Sequence, residues 1–345
     1  MDILNFDYDL PSDLIAQKPS VPKDESRLLS LIDSRYRNLT FSQLPSLINS
    51  GDVLVINDTK VIKARLIGLI GNKKITITLH QNQNKTDWLA FSKPAKKVNE
   101  NDVIKFKNSL EAKILKKNLG GEVLLSFNFS GSLLNKKISS CGSMPLPPYI
   151  KTRSLDDDIN YQTYFAQKEG AVASPTAGLH FTKKNIDDLK KKNVLILPIT
   201  LHVGAGTFLP VKTSSIDDHK MHFEWCEISE ETSQKINLAK SENKRIIAVG
   251  TTVIRTLESV ALKYGKIVPW KGSTNLFIKP GFKFKIVDCL LTNFHLPKST
   301  LLILICSFFG YKNTFKLYKY AIQKKYRFFS YGDCCFLPIK KNSNG

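Results

Sequence analysis

Two segments concentrate the groups that acid–base chemistry on a small molecule needs. Gly170-Ala171-Val172-Ala173-Ser174-Pro175-Thr176-Ala177-Gly178-Leu179-His180-Phe181 sets His180 beside Thr176 and Gly178, and Thr200-Leu201-His202-Val203-Gly204-Ala205-Gly206-Thr207-Phe208 sets His202 beside Gly204, Gly206 and Thr207. Glycine lets a backbone approach a ligand, threonine offers a hydroxyl, and histidine titrates nearest neutrality. Both segments read as walls of a small-molecule site. The second follows the apolar run Val194 to Ile199, a buried strand that would place His202 at a strand end feeding a loop.

Three further constellations carry polar chemistry. Arg245-Ile246-Ile247-Ala248-Val249-Gly250-Thr251-Thr252-Val253-Ile254-Arg255 reads as strand, turn, helix, with the helix's first amides free to face an anion and Arg255 one turn further on to clamp a carboxylate or phosphate. An ordinary helix start with a surface arginine is the competing reading. The stretch has neither the G-K-[ST] of a P-loop nor the glycine pattern of a dinucleotide fold. Asp217-Asp218-His219-Lys220-Met221-His222-Phe223-Glu224 gathers two histidines and three carboxylates. It lacks H-E-x-x-H and a nearby cysteine, so acid–base work by one of these groups fits better than a metal. Asn57-Asp58-Thr59 ends an apolar run and reads either as a turn or as a polar corner of the site, and Asn293 and His295 complete the polar set.

The elements that must position these groups fall into two rhythms. From Ile62 to about Phe129 short alternating strands (74–79, 102–106, 111–115, 122–127) indicate a small barrel or sandwich. Residues 63–140 hold 15 basic against 5 acidic residues, +10 of the chain's net +21, so this module faces nucleic acid. After Pro145 helices alternate with apolar strands: helix 182–192, strand 194–201, helix 229–241, strand 245–249, helix 251–263, strand 286–291 and helix 313–324, with 299–309 a buried element of either type. The expected architecture is α/β, two domains at 345 residues: a discontinuous, barrel-like α/β catalytic domain (1–62 and 141–345) with an inserted basic β-barrel (63–140). The tail 340–345 reads as disordered.

Composition narrows the classes. The longest apolar run, Leu301 to Cys306, is far short of a membrane span, and the N-terminus lacks a signal pattern, which indicates a soluble cytoplasmic protein. Six scattered cysteines show no C-x-x-C spacing, so they read as reduced and structural. Only eight of 51 basic residues are arginine, and each, Arg65 and Arg255 among them, is a candidate for a two-pronged contact that lysine does not reproduce.

Taken together, Phe6-Asp7-Tyr8-Asp9-Leu10-Pro11, Asn57 to Ile62 with Ala64-Arg65, Met144 to Ile150, Tyr161-Gln162-Thr163, both histidine segments, Asp218-His219-x-Met221-His222-x-Glu224, Val249 to Thr252, Thr292 to Pro297 and Tyr326 to Asp333 resemble the S-adenosylmethionine:tRNA ribosyltransferase-isomerases of queuosine biosynthesis. The chain departs from that pattern at Ser174, where alanine is usual, and at Val253, where serine commonly follows Gly-Thr-Thr. The resemblance implies the discontinuous α/β fold with a β-barrel insert. It also implies transfer of the ribosyl group of S-adenosylmethionine onto 7-aminomethyl-7-deazaguanine at the wobble position of a tRNA, giving epoxyqueuosine and releasing adenine and methionine. It implies no metal and no separate cofactor, and the chain is expected to act as a monomer.

That reaction needs a base for the acidic C–H beside the sulfonium and an acid for the departing adenine, for which His180, His202, His219, His222 and Glu224 are candidates. The methionine carboxylate needs a clamp, for which Arg255 and Gly250-Thr251-Thr252 fit. Asn57, Asp58, Arg65, Thr176, Gly178, Gly204, Gly206, Thr207, Asn293 and His295 make up the rest of the expected binding set. A non-catalytic RNA-binding protein accounts for the charge but not for histidines and glycines gathered outside the basic module, and a metal-dependent hydrolase is the other rival.

Overall fold

A computed structural model describes residues 1–32, 35–154, 156–204, 211 and 213–339. Along the chain, strands β1 (Arg27–Ile32), β2 (Arg35–Thr40), β3 (Val53–Asn57) and β4 (Thr59–Val61) come first. Next are β5 (Arg65–Ile70), β6 (Lys73–Asn82), β7 (Asp87–Lys93), β8 (Val103–Lys105), β9 (Glu111–Lys117) and β10 (Glu122–Phe127), then helices α1 (Gly131–Cys141) and α2 (Asp157–Asn160). The remainder runs β11 (Lys168–Ala171), α3 (Lys183–Lys191), β12 (Leu195–Leu201), β13 (Glu224–Ile228), α4 (Glu230–Ser241), β14 (Ile246–Val249) and α5 (Thr251–Tyr264). It ends with β15 (Trp270–Thr274), β16 (Cys289–Asn293), α6 (Thr300–Phe309), α7 (Tyr311–Gln323) and β17 (Cys334–Pro338).

Among the described residues nine strands form one mixed sheet in the order β15-β13-β12-β3-β14-β16-β17-β1-β2. Its centre, β12, β3, β14 and β16, is parallel. These strands are apolar on both faces, as a sheet covered on both sides requires. Val53 and Val55 pack into one core with α5, α6 and α7, while Leu54 and Ile56 pack into a second core with α3 and the 3-10 segment Phe41–Leu47. Each such fully buried side chain contributes about 1.5–3 kcal/mol. The helices begin where short polar side chains cap them: Thr182 accepts from Asn185 N at α3 and Ser229 from Thr232 N at α4. In α5, Val253, Ile254, Leu257, Val260 and Ala261 are all buried, the spacing of one helical face turned to the sheet.

The basic module is a closed six-stranded barrel, β10-β7-β6-β5-β8-β9. Along β6, Ile75, Ile77 and Leu79 point inward and are fully buried, and Leu134 and Ile138 of α1 add to the same core. The chain enters and leaves the barrel through one pair of backbone bonds, Arg65 N to Ser143 O at 3.1 Å and Ser143 N to Arg65 O at 2.9 Å. The two passes are so close that a Cβ at Gly142 would fall 1.9 Å from the carbonyl oxygen of Lys63, which requires glycine there. No helix among the described residues is long and apolar enough to cross a membrane.

Candidate active site

The carboxyl ends of β3, β12, β14 and β16 meet at one edge of the sheet, and a side chain from β3 ties β12 to the start of α5. Asn57 donates through Nδ2 to Leu201 O (3.0 Å) and Thr252 Oγ1 (3.3 Å), and its Oδ1 accepts from the amides of Leu201 and Thr59 (both 3.1 Å). It is both the turn former and the corner post. Asp58 is buried beside it and accepts from Thr200 Oγ1 at 2.6 Å. Burial lifts its carboxyl above the usual range, opposed by the Thr200 bond and by Lys168.

A cavity of about 660 Å3 opens between this edge and the barrel. The barrel side supplies His80, Gln81, Trp88 and Phe91; the sheet side supplies Gly170, His202, Gly204, His222, Glu224 and Trp225. His202 is held on three sides. Its Nδ1 lies 2.8 Å from Thr59 Oγ1, its ring stacks on Trp225 at 4.9 Å between centroids, and Gly170, at φ +151°, lies so close that a Cβ there would stand 2.6 Å from Nε2. Burial, then the nearby Lys168, pulls its pKa down to about 4, so at neutral pH the ring is neutral and able to accept a proton.

The Asp217 to Glu224 cluster diverges in space. Asp217 pairs with the N-terminal amine (2.9 Å) and Lys279 (2.6 Å), and His219 lies against Phe277. His222 is exposed on the cavity wall. Glu224 is buried, accepts from Gly204 N at 3.0 Å and forms an ion pair with Arg255, which also donates through Nε to Leu276 O at 3.1 Å. Arg255 is 5 % exposed, which excludes the surface-arginine reading and sets it behind the cavity wall, as the partner of Glu224. Among the described residues no group of three or more His, Cys, Asp or Glu side chains is arranged to hold a metal ion.

A second, small cavity of about 60 Å3 is lined by Thr176, Gly250, Thr251, Thr252, Asn293 and His295 of the expected set, together with Ser174, Ser299 and Ser330. Asn293 and His295 are themselves engaged: Asn293 Nδ2 donates to His180 Nε2 (3.1 Å) and Phe329 O (3.2 Å), and His295 Nε2 lies 2.9 Å from Thr292 Oγ1. Burial takes His295 down to about 3.

Among the described residues seven expected ones line neither cavity: Asn57, Asp58, His219 and Arg255, placed above, and His180, Gly178 and Arg65. His180 is buried with both ring nitrogens occupied, Nδ1 by Ser26 Oγ at 2.7 Å and Nε2 by Asn293, and it stacks on Phe41 at 5.2 Å. Burial and the charges of Arg327 and Lys23 bring it to about 3, so it is a neutral packing histidine. Gly178 packs on Thr163, and Arg65 stands at the mouth of the barrel insert. Gly206 and Thr207, with Ala205 and Phe208, lie outside the described residues, as does the tail 340–345.

The reading from sequence missed the barrel's contribution. His80 stacks on Phe91 at 4.6 Å, and its Nε2 stands 2.9 Å from Glu122 Oε1, an ion-pair distance without hydrogen-bond alignment. Burial lowers its pKa against the pull of Glu122. The alternation in β6 marks His80 as outward-facing, which is the available signal, but what lies outside a barrel is a matter of tertiary structure.

The chain matches known proteins over nearly its whole length. Residues 3–337 match the family model described as queuosine biosynthesis protein. The S-adenosylmethionine:tRNA ribosyltransferase-isomerase of Bradyrhizobium diazoefficiens is 47% identical over 96% of this chain and 95% of its own, and that of Beijerinckia indica is 46% identical over 96% and 95%. The crystal structure of S-adenosylmethionine tRNA ribosyltransferase from Thermotoga maritima superposes with a TM-score of 0.56 at 34% identity, covering 96% of this chain and 99% of that one. A match this long, to relatives this similar, shows that the chain belongs to the queuosine biosynthesis protein family and is an enzyme of it, a transferase.

Proposed function

We propose that the cavity between the barrel and the sheet is where the chain moves the ribosyl group of S-adenosylmethionine onto 7-aminomethyl-7-deazaguanine at the wobble position of a tRNA. The isomerised product is epoxyqueuosine in tRNA, and adenine and methionine leave. The observation that carries this reading is a nucleoside-sized cavity, about 660 Å3, holding a neutral, triply positioned histidine among aromatic rings. Its volume lies in the range of small-molecule sites.

His202 is the base of this reading. The Thr59 hydroxyl has one proton, which points to Lys168 O at 3.5 Å, so Thr59 Oγ1 is able to accept from His202 Nδ1–H. In that tautomer Nε2 carries the lone pair and removes the proton from the carbon next to the sulfonium. Breakage of the bond from ribose to adenine then requires a proton on the purine, for which His222 and the His80–Glu122 pair are the cavity groups within the wall. Trp225 and Phe91 offer flat faces to a base. Glu224, paired with Arg255, holds the Gly204 amide at the cavity wall. The chemistry is assigned to side chains and both substrates, with no metal and no resident cofactor, in a monomeric cytoplasmic enzyme.

The tRNA path runs over the insert, where Lys96, Lys97, Lys116 and Lys117 are exposed. At the rim, Lys60 and Lys63 pair with Glu169 (2.9 Å) and Asp158 (2.5 Å); such exposed pairs are worth at most about 1 kcal/mol and exchange readily for phosphate. The test is adenine release from S-adenosylmethionine with tRNA that carries or lacks the aminomethyl base. Release that depends on that base supports the reading; release without it, or none, contradicts it.

A further inference from the structure

We infer that the small cavity at the amino ends of α5 and α6 is an oxyanion subsite that takes the carboxylate of the donor's amino-acid part, held by backbone amides and hydroxyls with no side-chain cation. The inference rests on the proposed reaction and moves the clamp away from Arg255, which lines neither cavity and whose Nη1 and Nε are taken by Glu224 and Leu276 O, with Nη2 alone unpartnered among the described residues.

Two helices of 14 and 10 residues open onto this cavity, through Thr251 and Thr252 of α5 and through Ser299 and Leu301 of α6. The start of α5 has no side-chain cap and no acidic residue in its first turn, so its positive end is not neutralised from within. An independent observation points to a ligand. Ser174 lines the same cavity, is 4 % exposed, and its Oγ has no hydrogen-bond partner among the described residues. A buried orphan hydroxyl is destabilising unless something supplies the missing bond.

The chemistry of the lining selects the ligand. Among the described residues no Lys, Arg, Asp or Glu lines the cavity, and its histidine is neutral and bonded to Thr292. Dipoles without a counter-charge suit a single negative charge, and about 60 Å3 suits a group the size of a carboxylate. Consecutive residues line the two cavities, Val203 the small one and Gly204 the large one. One donor molecule is thereby able to place its carboxylate in the first and its nucleoside in the second.

Calorimetry with S-adenosylmethionine and its decarboxylated analogue, on the full chain, tests this. The wild type is expected to bind the decarboxylated analogue roughly 10- to 100-fold more weakly, the worth of charge-assisted hydrogen bonds to one carboxylate. Ser174→Asp, which fills the cavity with a fixed carboxylate, is expected to cut affinity for S-adenosylmethionine by about 10-fold or more while binding the analogue no more weakly and leaving tRNA affinity unchanged. Thr251→Val, close in shape, serves as the second variant, with the same selectivity at a smaller size; thermal melting verifies that each is folded. Equal affinity of the wild type for both ligands, or equal losses on both in Thr251→Val, overturns the subsite. Loss of tRNA affinity in Ser174→Asp overturns it in favour of an RNA phosphate. Failure of the wild type to bind S-adenosylmethionine at all removes the proposed reaction as well, whereas binding indifferent to the carboxylate removes the subsite alone.

Discussion

Gly170→Ala is the substitution through which the placement of His202 is most sharply tested. A Cβ at 170 would stand 2.6 Å from His202 Nε2 and 2.7 Å from Cδ2 and Cε1. Carbon contacts settle at about 3.5 Å, so the ring must retreat by about 1 Å. Trp225, stacked at 4.9 Å, resists that movement, and the displacement breaks the 2.8 Å bond to Thr59. A misplacement of about 1 Å costs roughly 100-fold in rate. The backbone at φ +151° adds strain of about 1–3 kcal/mol in stability. His202→Gln alone should lose about 10²–10⁴-fold. If alanine acts through His202, the double variant is no slower than His202→Gln. The assay is single-turnover adenine release at saturating donor and tRNA, with urea melts confirming that each variant is folded. A Gly170→Ala enzyme of native rate, or one that multiplies its full loss onto His202→Gln, refutes the reasoning.

His180→Ala should act on stability, lowering it by about 2–4 kcal/mol in urea melts, because two buried hydrogen bonds and a stacked ring are lost together; a stable but inactive variant would return His180 to the chemistry. Stability should also fall with acid. His180 and His295 stand at about 3 and His202 at about 4 in the folded chain, against 6.5 when unfolded, so the unfolded state takes up protons first. The stability from keeping them neutral is complete above about pH 6.5 and is lost as pH falls toward the folded values, by at most about 4 kcal/mol per pH unit for the three together. Melts that coincide at pH 5 and pH 7 would contradict this burial. Charge reversal of Lys96, Lys97, Lys116 and Lys117 should flatten the logarithmic salt dependence of tRNA affinity by up to about 3, at roughly 0.7–0.9 per phosphate contact, without changing S-adenosylmethionine binding; an unchanged slope would put the RNA path elsewhere.

Elements with strong local signals were legible in the sequence, and those defined by distant partners were not. Thr182 and Ser229 announce α3 and α4 by their capping chemistry, and alternation marks β6, β9 and β10. The segment 299–309 stayed open between helix and strand because α6 is buried nearly all round, which erases its period. The strand expected at 286–291 is β16, three residues later at its start: Ile286 and Val287 are buried in the preceding loop, and Thr292-Asn293, beyond the expected end, are paired with β17. For the site, the grouping of His202, Gly204, His222 and Glu224 around one cavity follows the motifs. His180 does not join them, since a histidine in a glycine-rich segment reads alike whether it faces a ligand or packs on Phe41. Nor does the sequence tell that Arg255 on α5 reaches back to Glu224 on β13, or that the outer face of the barrel closes the cavity.

The most direct test of the central claim is to follow the ribose. Wild-type enzyme and His202→Gln are incubated with S-adenosylmethionine labelled in every ribose carbon and with tRNA carrying the aminomethyl base, and the wobble nucleoside is analysed by mass. The wild type is expected to transfer the whole labelled five-carbon unit to that nucleoside, with one adenine released per transfer, and His202→Gln to transfer it about 10²–10⁴-fold more slowly while still binding the donor. An unlabelled nucleoside in the wild type, or native-rate transfer by His202→Gln, would contradict the claim.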